Sequence, residues 1–336
     1  MKSGGVVVIA EAGVNHNGDL SLAKDLISVA SDAGADYVKF QTFTADKLVS
    51  QGAMPARYQI VNTGLAVTQF NLLKKFELSQ EAHFELIQIC KEKSIKFAST
   101  GFDLESNYFL DTLGVDFLKI PSGEITNLPY LRQIGAMRKH VLLSTGMSDL
   151  NEIGRAIVVL QESGLPLDFL TVLQCTSAYP TPAHEVNLSA MKTIQSTFGV
   201  KVGFSDHTLG IDIPLAATAL GARVIEKHFT LSRDLEGPDH KASLEPSELA
   251  EMVRGIRNIE VAIGDGNKIP TPTEYENREF TRKSIVAKIQ IIRGEIFTSD
   301  NLTTLRPGNG VSPMRWDDLI GQVSTQDYHP GDQIQL

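Results

Sequence analysis

The chain has 336 residues, of which 42% are hydrophobic and 21% charged, a composition that supports a sizeable packed core and excludes a disordered chain. Its formal charge of −9 and pI near 5.4 exclude a general nucleic-acid surface, which needs a basic face to displace phosphate counterions, so an anionic ligand must meet a local positive cluster. Only Cys90 and Cys175 occur, Met1 to Gly5 lacks the apolar stretch of a secretory leader, and the longest apolar runs fall far short of the ~20 residues that span a bilayer; the expectation is a cytoplasmic protein with no membrane partner.

Short β-rich apolar runs alternate with amphipathic stretches along the chain, the pattern of βα units around a parallel sheet. The runs are Val6 to Ala10, Tyr37 to Gln41, Ile95 to Ser99, Phe117 to Ile120, Val141 to Ser144, Phe169 to Gln174, Val200 to Phe204 and Arg223 to Glu226. Between them lie helix-like segments such as Leu20 to Ala33, Glu81 to Lys93, Asn151 to Ser163 and Leu188 to Thr197. Eight repeats in this length predict a closed (β/α)8 barrel rather than a doubly wound sheet. Phe43 to Gln80 is too long for an ordinary βα loop and predicts an insertion over the barrel mouth that can act as a lid.

After an amphipathic stretch over Pro246 to Ile263, the composition changes at Gly264 to Asn267 and at Pro270-Thr271-Pro272. The expected organisation is a barrel over residues 1–265, a linker over 266–281 and a small, mostly β domain over 282–336, whose turns fall at Arg293-Gly294, Pro307 to Gly310 and Pro330-Gly331.

Barrel enzymes carry their chemistry at the C-terminal ends of the strands. Those ends hold Glu11 and the Asn15-His16-Asn17-Gly18 loop, Lys39 and Gln41, Ser99 and Thr100, Lys119 with Ser122 and Glu124, Ser144-Thr145-Gly146, Cys175 to Ser177 with Tyr179, Ser205-Asp206-His207, and Glu226-Lys227-His228. A lysine inside a buried strand is costly without a compensating anion. Lys39 and Lys119 therefore read either as a phosphate and carboxylate clamp, helped by Ser122 and Ser205, or as structural partners of a barrel carboxylate such as Glu11 or Glu124. His207 and His228 end neighbouring strands and read either as hydrogen-bonded structural residues or as two ligands of one divalent metal. An open site of this kind suits Mn2+ or Mg2+ better than structural zinc. Cys175 reads as an inert buried thiol that also has the option of joining such a site, and Cys90 as core. Asp239 and His240 follow Gly237-Pro238 in a loop able to reach over the mouth or to form an ordinary turn. Arg306, beside Pro307 to Gly310, reads as a ligand-facing fork or as a solvated side chain.

Taken in order, these motifs resemble the sialic acid synthase family: Ile9-Ala10-Glu11-Ala12-Gly13-Val14-Asn15-His16-Asn17-Gly18, Val38-Lys39-Phe40-Gln41-Thr42, Lys119-Ile120-Pro121-Ser122-Gly123-Glu124, Leu143 to Met147, Gly203 to Thr208, Glu226 to Thr230, Gly237 to His240, and Arg306 to Gly310. The resemblance implies a TIM barrel followed by an antifreeze-like SAF domain. It implies that Lys39, Lys119, Thr100, Ser122, Ser144, Ser177 and Ser205 hold phosphoenolpyruvate and that His207 and His228 bind the metal. It further implies that Glu11, Glu124, Gln41, Tyr179 and Asp239 line the metal and sugar region, with Glu11 or Glu124 as the base. A domain-swapped homodimer, in which Arg306 from one chain reaches the sugar's N-acyl group in the other, is implied as well. The chain departs from the family pattern at Ser177 and at Gly101.

The implied reaction joins carbon 3 of phosphoenolpyruvate to the aldehyde of an N-acylated amino sugar and releases phosphate by C–O cleavage. N-acetylneuraminate synthesis from N-acetylmannosamine is the reading taken. The alternative, towards which Ile125-Thr126-Asn127 leans, is N,N'-diacetyllegionaminate synthesis from 2,4-diacetamido-2,4,6-trideoxymannose. More remote readings are a metal-dependent aldolase on the same barrel, or a carbohydrate- or ice-binding module beside an idle one.

Overall fold

The computed structural model describes residues 5–55 and 68–336, which form two compact units, one ending at Gly264 and the other running from Asp265 to Leu336. The first is a parallel barrel of β1 (Val7–Gly13), β2 (Tyr37–Thr42), β3 (Lys96–Gly101), β4 (Phe117–Ile120), β5 (His140–Ser144), β6 (Leu170–Cys175), β7 (Lys201–Asp206) and β8 (Val224–His228). The ladder runs β3-β2-β1-β8-β7-β6-β5-β4, and β3 and β4 lie side by side at the remaining seam. All eight expected strands are present. Most extend one to three residues beyond the apolar runs, because backbone pairing continues past the first polar side chain that faces the interior.

Each strand is followed by a helix on the outside of the barrel, and the turn into the helix is set by capping chemistry. Asp19, Ser79, Asp103 and Asp149 each accept a hydrogen bond from a free backbone N–H of the first helical turn. The outer core, between sheet and helices, contains Val8, Ala10, Val38, Phe40, Leu118, Val172 and Ile225 against helix residues such as Leu26, Leu86 and Leu249.

Side chains alternate across a strand, so the residues between these face the barrel axis. The lower interior is an apolar plug of Val7, Ile9, Tyr37, Ala98, Phe117, Leu142, Leu173 and Val224. Gly203 completes it on β7, where a Cβ would lie 2.6 Å from both Leu173 Cδ2 and the Val224 carbonyl oxygen.

The expected insertion between Phe43 and Gln80 contains helices Ala45–Leu48 and Gln69–Lys74. Val14, Phe43, Leu72 and Phe76 form a small apolar cluster there, joined by Leu48, Leu73 and Phe102. Residues 56–67 of the expected lid lie outside the described residues.

In the second unit, β9 (Ser284–Ala287) pairs antiparallel with β10 (Leu302–Leu305), around a core that includes Ile285, Ile291, Phe297, Leu302, Leu319, Tyr328 and Ile334. The segment read as a linker, 266–281, holds helix Pro272–Thr281, whose start is fixed by reciprocal bonds between Thr271 and Glu274. That helix has no buried residue, which is why its pattern carried no apolar stripe to read as a helix. Among the described residues no helix is long and apolar enough to cross a membrane.

Candidate active site

Two residues above the plug, the interior-facing side chains of the same strands turn polar. Glu11, Lys39, Lys119 and Glu226 are 2%, 2%, 5% and 5% exposed, and they touch one another. Lys39 Nζ lies 2.6 Å from Glu11 Oε2 and 3.6 Å from Glu226 Oε2, and it donates to Thr100 Oγ1 at 2.7 Å. Lys119 Nζ and Ser205 Oγ both donate to Glu226 Oε1 at 3.0 Å. Four charges from β1, β2, β4 and β8 therefore converge on the barrel axis.

The carboxylates are not equivalent. Burial raises the Glu11 pKa to about 7, with Lys39 opposing and the Glu226 charge adding to the rise. Burial acts on Glu226 in the same direction, but Lys119, Lys39 and the Ser205 hydroxyl outweigh it and hold Glu226 below the usual carboxylate range. One carboxylate is thus a fixed anion, and the other gains or loses a proton near neutrality.

His207 and His228 stand beside this cluster with ring centroids 5.5 Å apart, and the Tyr179 ring lies 4.1 Å from His207 and 5.8 Å from His228. His207 Nδ1 bonds the Thr176 carbonyl oxygen at 2.7 Å, which directs Nε2 away from the backbone. Burial disfavours charge on His207, yet Cys175, whose Sγ lies 3.8 Å from Nδ1, raises its pKa. Burial first, then the charges of His207 and Lys39, push His228 well below the usual histidine range. His228 Nδ1 and Asp239 Oδ1 are buried polar atoms without a hydrogen-bond partner. Burial also lifts Asp239 to about 6.

Among the described residues no group of three or more His, Cys, Asp or Glu side chains is gathered as a complete cation site. The two imidazoles and the unpartnered nitrogen fit an open site, one whose remaining ligands come from substrate or water.

A second set of groups lies at the ends of β4, β5 and β6. Ser122 Oγ accepts from Gly146 N at 2.9 Å. A Cβ on Gly146 would sit 2.2 Å from Ser177 Oγ and 2.9 Å from Ser122 Oγ, so the two hydroxyls close around bare backbone. The buried Ser144 hydroxyl has no partner. Hydroxyls and a backbone N–H around a glycine make a cradle for an anion's oxygens.

Above these groups opens a cavity of about 340 Å³ with two unlike sides. Gln41, Gln69, Glu124, Tyr179, His228 and Asp239 supply polar groups, and Leu48, Val49, Leu72, Leu73, Phe76 and Phe102 make a mostly apolar wall. Gly13, in the left-handed region at φ 54°, lets the backbone pass close: a Cβ there would meet His228, Gln41 and Glu11 at 3.3 to 3.4 Å. Glu124 accepts from Asn127 Nδ2 at 2.6 Å, and neither lysine pairs with it; the lysines' carboxylates are Glu11 and Glu226.

The Asn15 to Gly18 loop braces the site from behind. Asn15 Nδ2 donates to Phe229 O at 2.8 Å and Ser243 Oγ at 2.9 Å, and Ser243 Oγ donates to Asp239 O at 2.7 Å. His240 shares a 2.7 Å hydrogen bond with Thr230 Oγ1 and serves the same loop. Gly101, where the motif departs from the family, has no room for more: a Cβ would lie 2.3 Å from Asn107 Oδ1. Arg306 lies in the second unit and is exposed.

The structure thus brings together Glu11, Lys39, Thr100, Lys119, Ser205, His207 and His228, with Gln41, Glu124, Tyr179 and Asp239 at the mouth. Glu226 was not singled out from sequence, although it anchors both lysines. Strand alternation carries the signal that finds it: if His228 faces the interior, so does Glu226, and Lys227 faces out.

A barrel whose mouth holds buried lysines, two unlike carboxylates and paired imidazoles is an enzyme built for an anionic substrate. The NeuB family profile matches residues 26–268 and the SAF domain profile residues 282–336; the chain belongs to the NeuB family. It is 52% identical over 328 residues to the N,N'-diacetyllegionaminic acid synthase of Campylobacter jejuni subsp. jejuni, with 98% of each chain covered. It is 47% identical to the N,N'-diacetyllegionaminic acid synthase of Legionella pneumophila subsp. pneumophila, covering 94% of this chain and 89% of that protein. Among solved structures, the N-acetylneuraminic acid (sialic acid) synthetase of Leptospira borgpetersenii, in complex with citrate, is 36% identical with a TM-score of 0.71, covering 81% of this chain and 90% of that one.

Proposed function

We propose that this enzyme condenses phosphoenolpyruvate with 2,4-diacetamido-2,4,6-trideoxymannose to form N,N'-diacetyllegionaminate and phosphate. The observation that carries the reaction class is the buried Lys39–Glu11–Glu226–Lys119 cluster beside two imidazoles. The sugar is supported by the two relatives named for that product, at 52% and 47% identity. They favour it over N-acetylmannosamine, the main reading taken from the sequence, and agree with the lean of Ile125-Thr126-Asn127. The apolar wall of the mouth agrees, because a 6-deoxy sugar presents a methyl group where N-acetylmannosamine presents a hydroxymethyl group.

In this reading Lys39 and Lys119, with Thr100, Ser205 and the Ser122, Ser144 and Ser177 hydroxyls, neutralise the carboxylate and phosphate of phosphoenolpyruvate. A divalent cation, Mn2+ or Mg2+, held by His207 and His228 would, when bound, polarise the sugar's aldehyde oxygen. Carbon 3 of phosphoenolpyruvate forms the new bond to the aldehyde carbon, and the aldehyde oxygen takes up a proton from solvent, to which Glu11 later returns the one it accepts. Water adds to the resulting cationic carbon 2, and Glu11, poised near neutrality, takes the water's proton. The carbon 2 bond to the phosphate ester oxygen then breaks, phosphate leaves with the bonding electron pair and takes the proton of the carbon 2 hydroxyl, the lysines stabilise it, and carbon 2 becomes the ketone. Gln41, Glu124, Tyr179 and Asp239 orient the sugar. Arg306 is assigned, by the family resemblance, to the N-acyl group of a sugar bound in a partner subunit of a domain-swapped homodimer.

The test is phosphate release with Mn2+ present, offering each sugar separately, with EDTA controls. Faster turnover of the diacetamido sugar supports the reading, and faster turnover of N-acetylmannosamine returns the enzyme to N-acetylneuraminate synthesis. Reaction in 18O-labelled water puts the label on the sugar acid; label in phosphate overturns C–O cleavage.

A further inference from the structure

A second buried charge pair lies on the other face of the same strand ends. Glu226 and His228 face the barrel axis, so Lys227 between them points outward, into the layer between sheet and helices. Asp206 does the same on β7, directly opposite, in register with Lys227. Both side chains are 0% exposed, and Lys227 Nζ lies 2.6 Å from Asp206 Oδ2. The ammonium also donates to Thr208 O at 2.5 Å and approaches Thr208 Oγ1 at 3.5 Å. Asp206 in turn accepts from Thr208 N at 2.9 Å and from Thr208 Oγ1 at 3.1 Å.

A buried ion pair returns little net stability, since desolvating two charges offsets their attraction, and apolar side chains of similar volume do as well or better. What such a pair supplies is fixed geometry, and its placement says what is fixed. The residue between Asp206 and Thr208 is His207; the residue after Lys227 is His228. One ammonium therefore grips the chain immediately before and immediately after the first imidazole, while its own backbone carries the second. The β7–β8 ladder ends at the Asp206–Lys227 pair, so His207 lies just beyond it, while His228 stays in register with Glu11 on β1 and His207 O accepts from Thr181 N at 2.8 Å.

We infer that Lys227 and Asp206 are positioning residues that set the separation of the His207 and His228 imidazoles from behind the sheet. The inference rests on the proposed role of the two imidazoles for its functional consequence, and its test reads both geometry and binding. In the double variant Lys227→Met with Asp206→Leu, which removes both charges together, the expected result is a folded protein with a melting temperature at or above that of the wild type, a ring-centroid separation that departs from 5.5 Å in its crystal structure, and Mn2+ binding weakened at least ten-fold by titration with the metal alone. Asp206→Asn, which keeps the volume but removes the charge and replaces the acceptor facing Lys227 with a donor, is expected to weaken Mn2+ binding three- to ten-fold.

An unchanged imidazole separation in the folded double variant overturns the inference whether or not metal binds. Should the double variant not fold, native Mn2+ affinity and native ring geometry in Asp206→Asn overturn it equally, leaving the pair a purely structural tie. If His207→Ala and His228→Ala leave wild-type Mn2+ binding untouched, the metal reading fails on its own, and the crystallographic separation still decides the positioning role.

Discussion

The lower and upper halves of the barrel interior are built from the same strands, two residues apart, and obey opposite rules. On β1 Ile9 is followed by Glu11, on β2 Tyr37 by Lys39, on β4 Phe117 by Lys119, and on β8 Val224 by Glu226. The lower members form the apolar plug, where burial itself stabilises. The upper members are just as buried, but their burial costs free energy that their ion pairs return only in part. The plug makes the barrel stable, and the charged layer spends some of that stability to hold charges where an anion can use them.

This contrast predicts that activity and stability separate along a single strand. Removing a charge-balanced part of the upper layer, Lys119→Met with Glu226→Gln, is expected to lower kcat/KM for phosphate release ~1000-fold or more while the melting temperature holds or rises. A large drop in melting temperature would mean that the cluster is structural. Two residues below, Phe117→Ala is expected to do the reverse, with a loss of ~3–5 kcal/mol in denaturant unfolding and a kcat/KM per folded molecule that stays within two-fold. If Phe117→Ala impairs turnover of the folded enzyme as severely as the upper-layer change, the two halves are not independent.

Much of this division is legible in the sequence. Runs such as Phe117 to Ile120 mark the strands, and the polar residues that end them mark the mouth, because parallel barrels put their loops and chemistry at one end. What was not legible depended on the direction of side chains. Glu226, Lys227 and His228 are consecutive, and the pattern alone does not say which of them faces the axis until one is assigned. The pairing of both lysines with Glu226, rather than with Glu124, follows from barrel closure, which brings β4 and β2 to β8 across the interior. The helix at Pro272–Thr281 was hidden because it buries nothing, so it shows capping residues but no apolar face.

Within the upper layer, the two carboxylates sharpen the comparison further. Glu226 is held ionised by its lysines, whereas burial lifts Glu11 to about 7. For an acid with a raised pKa, the basic form is lost as pH falls through the raised value, so a base at Glu11 loses its charge near pH 7 rather than near 4.5. The kcat/KM profile is therefore expected to fall ~ten-fold per pH unit below about 7 and to flatten above it. Glu11→Gln is expected to remove that limb together with most of the activity. A limb that persists at the same pH in Glu11→Gln assigns the proton transfer to another group.

The smallest expected effect lies where the charged layer meets the mouth, because the apolar wall returns to the physics of the plug. Leu72, Leu73 and Phe76 come from the segment before Gln80 and face a cavity whose other side is Gln41, Glu124 and Asp239. A methyl group seated against such a wall is favoured by ~1 kcal/mol, and for a hydroxyl there the helix of Leu72 and Leu73 offers Gln69. Leu73 is only partly buried, so Leu73→Gln is expected to fold normally. By offering a second amide beside Gln69, it is expected to cut the preference for the 6-deoxy sugar over N-acetylmannosamine ~five-fold, measured as the ratio of their kcat/KM values, with kcat for the better substrate little changed. An unchanged ratio would move sugar selection away from this wall, to the polar side of the cavity, where the second acetamido group is the feature left to be read.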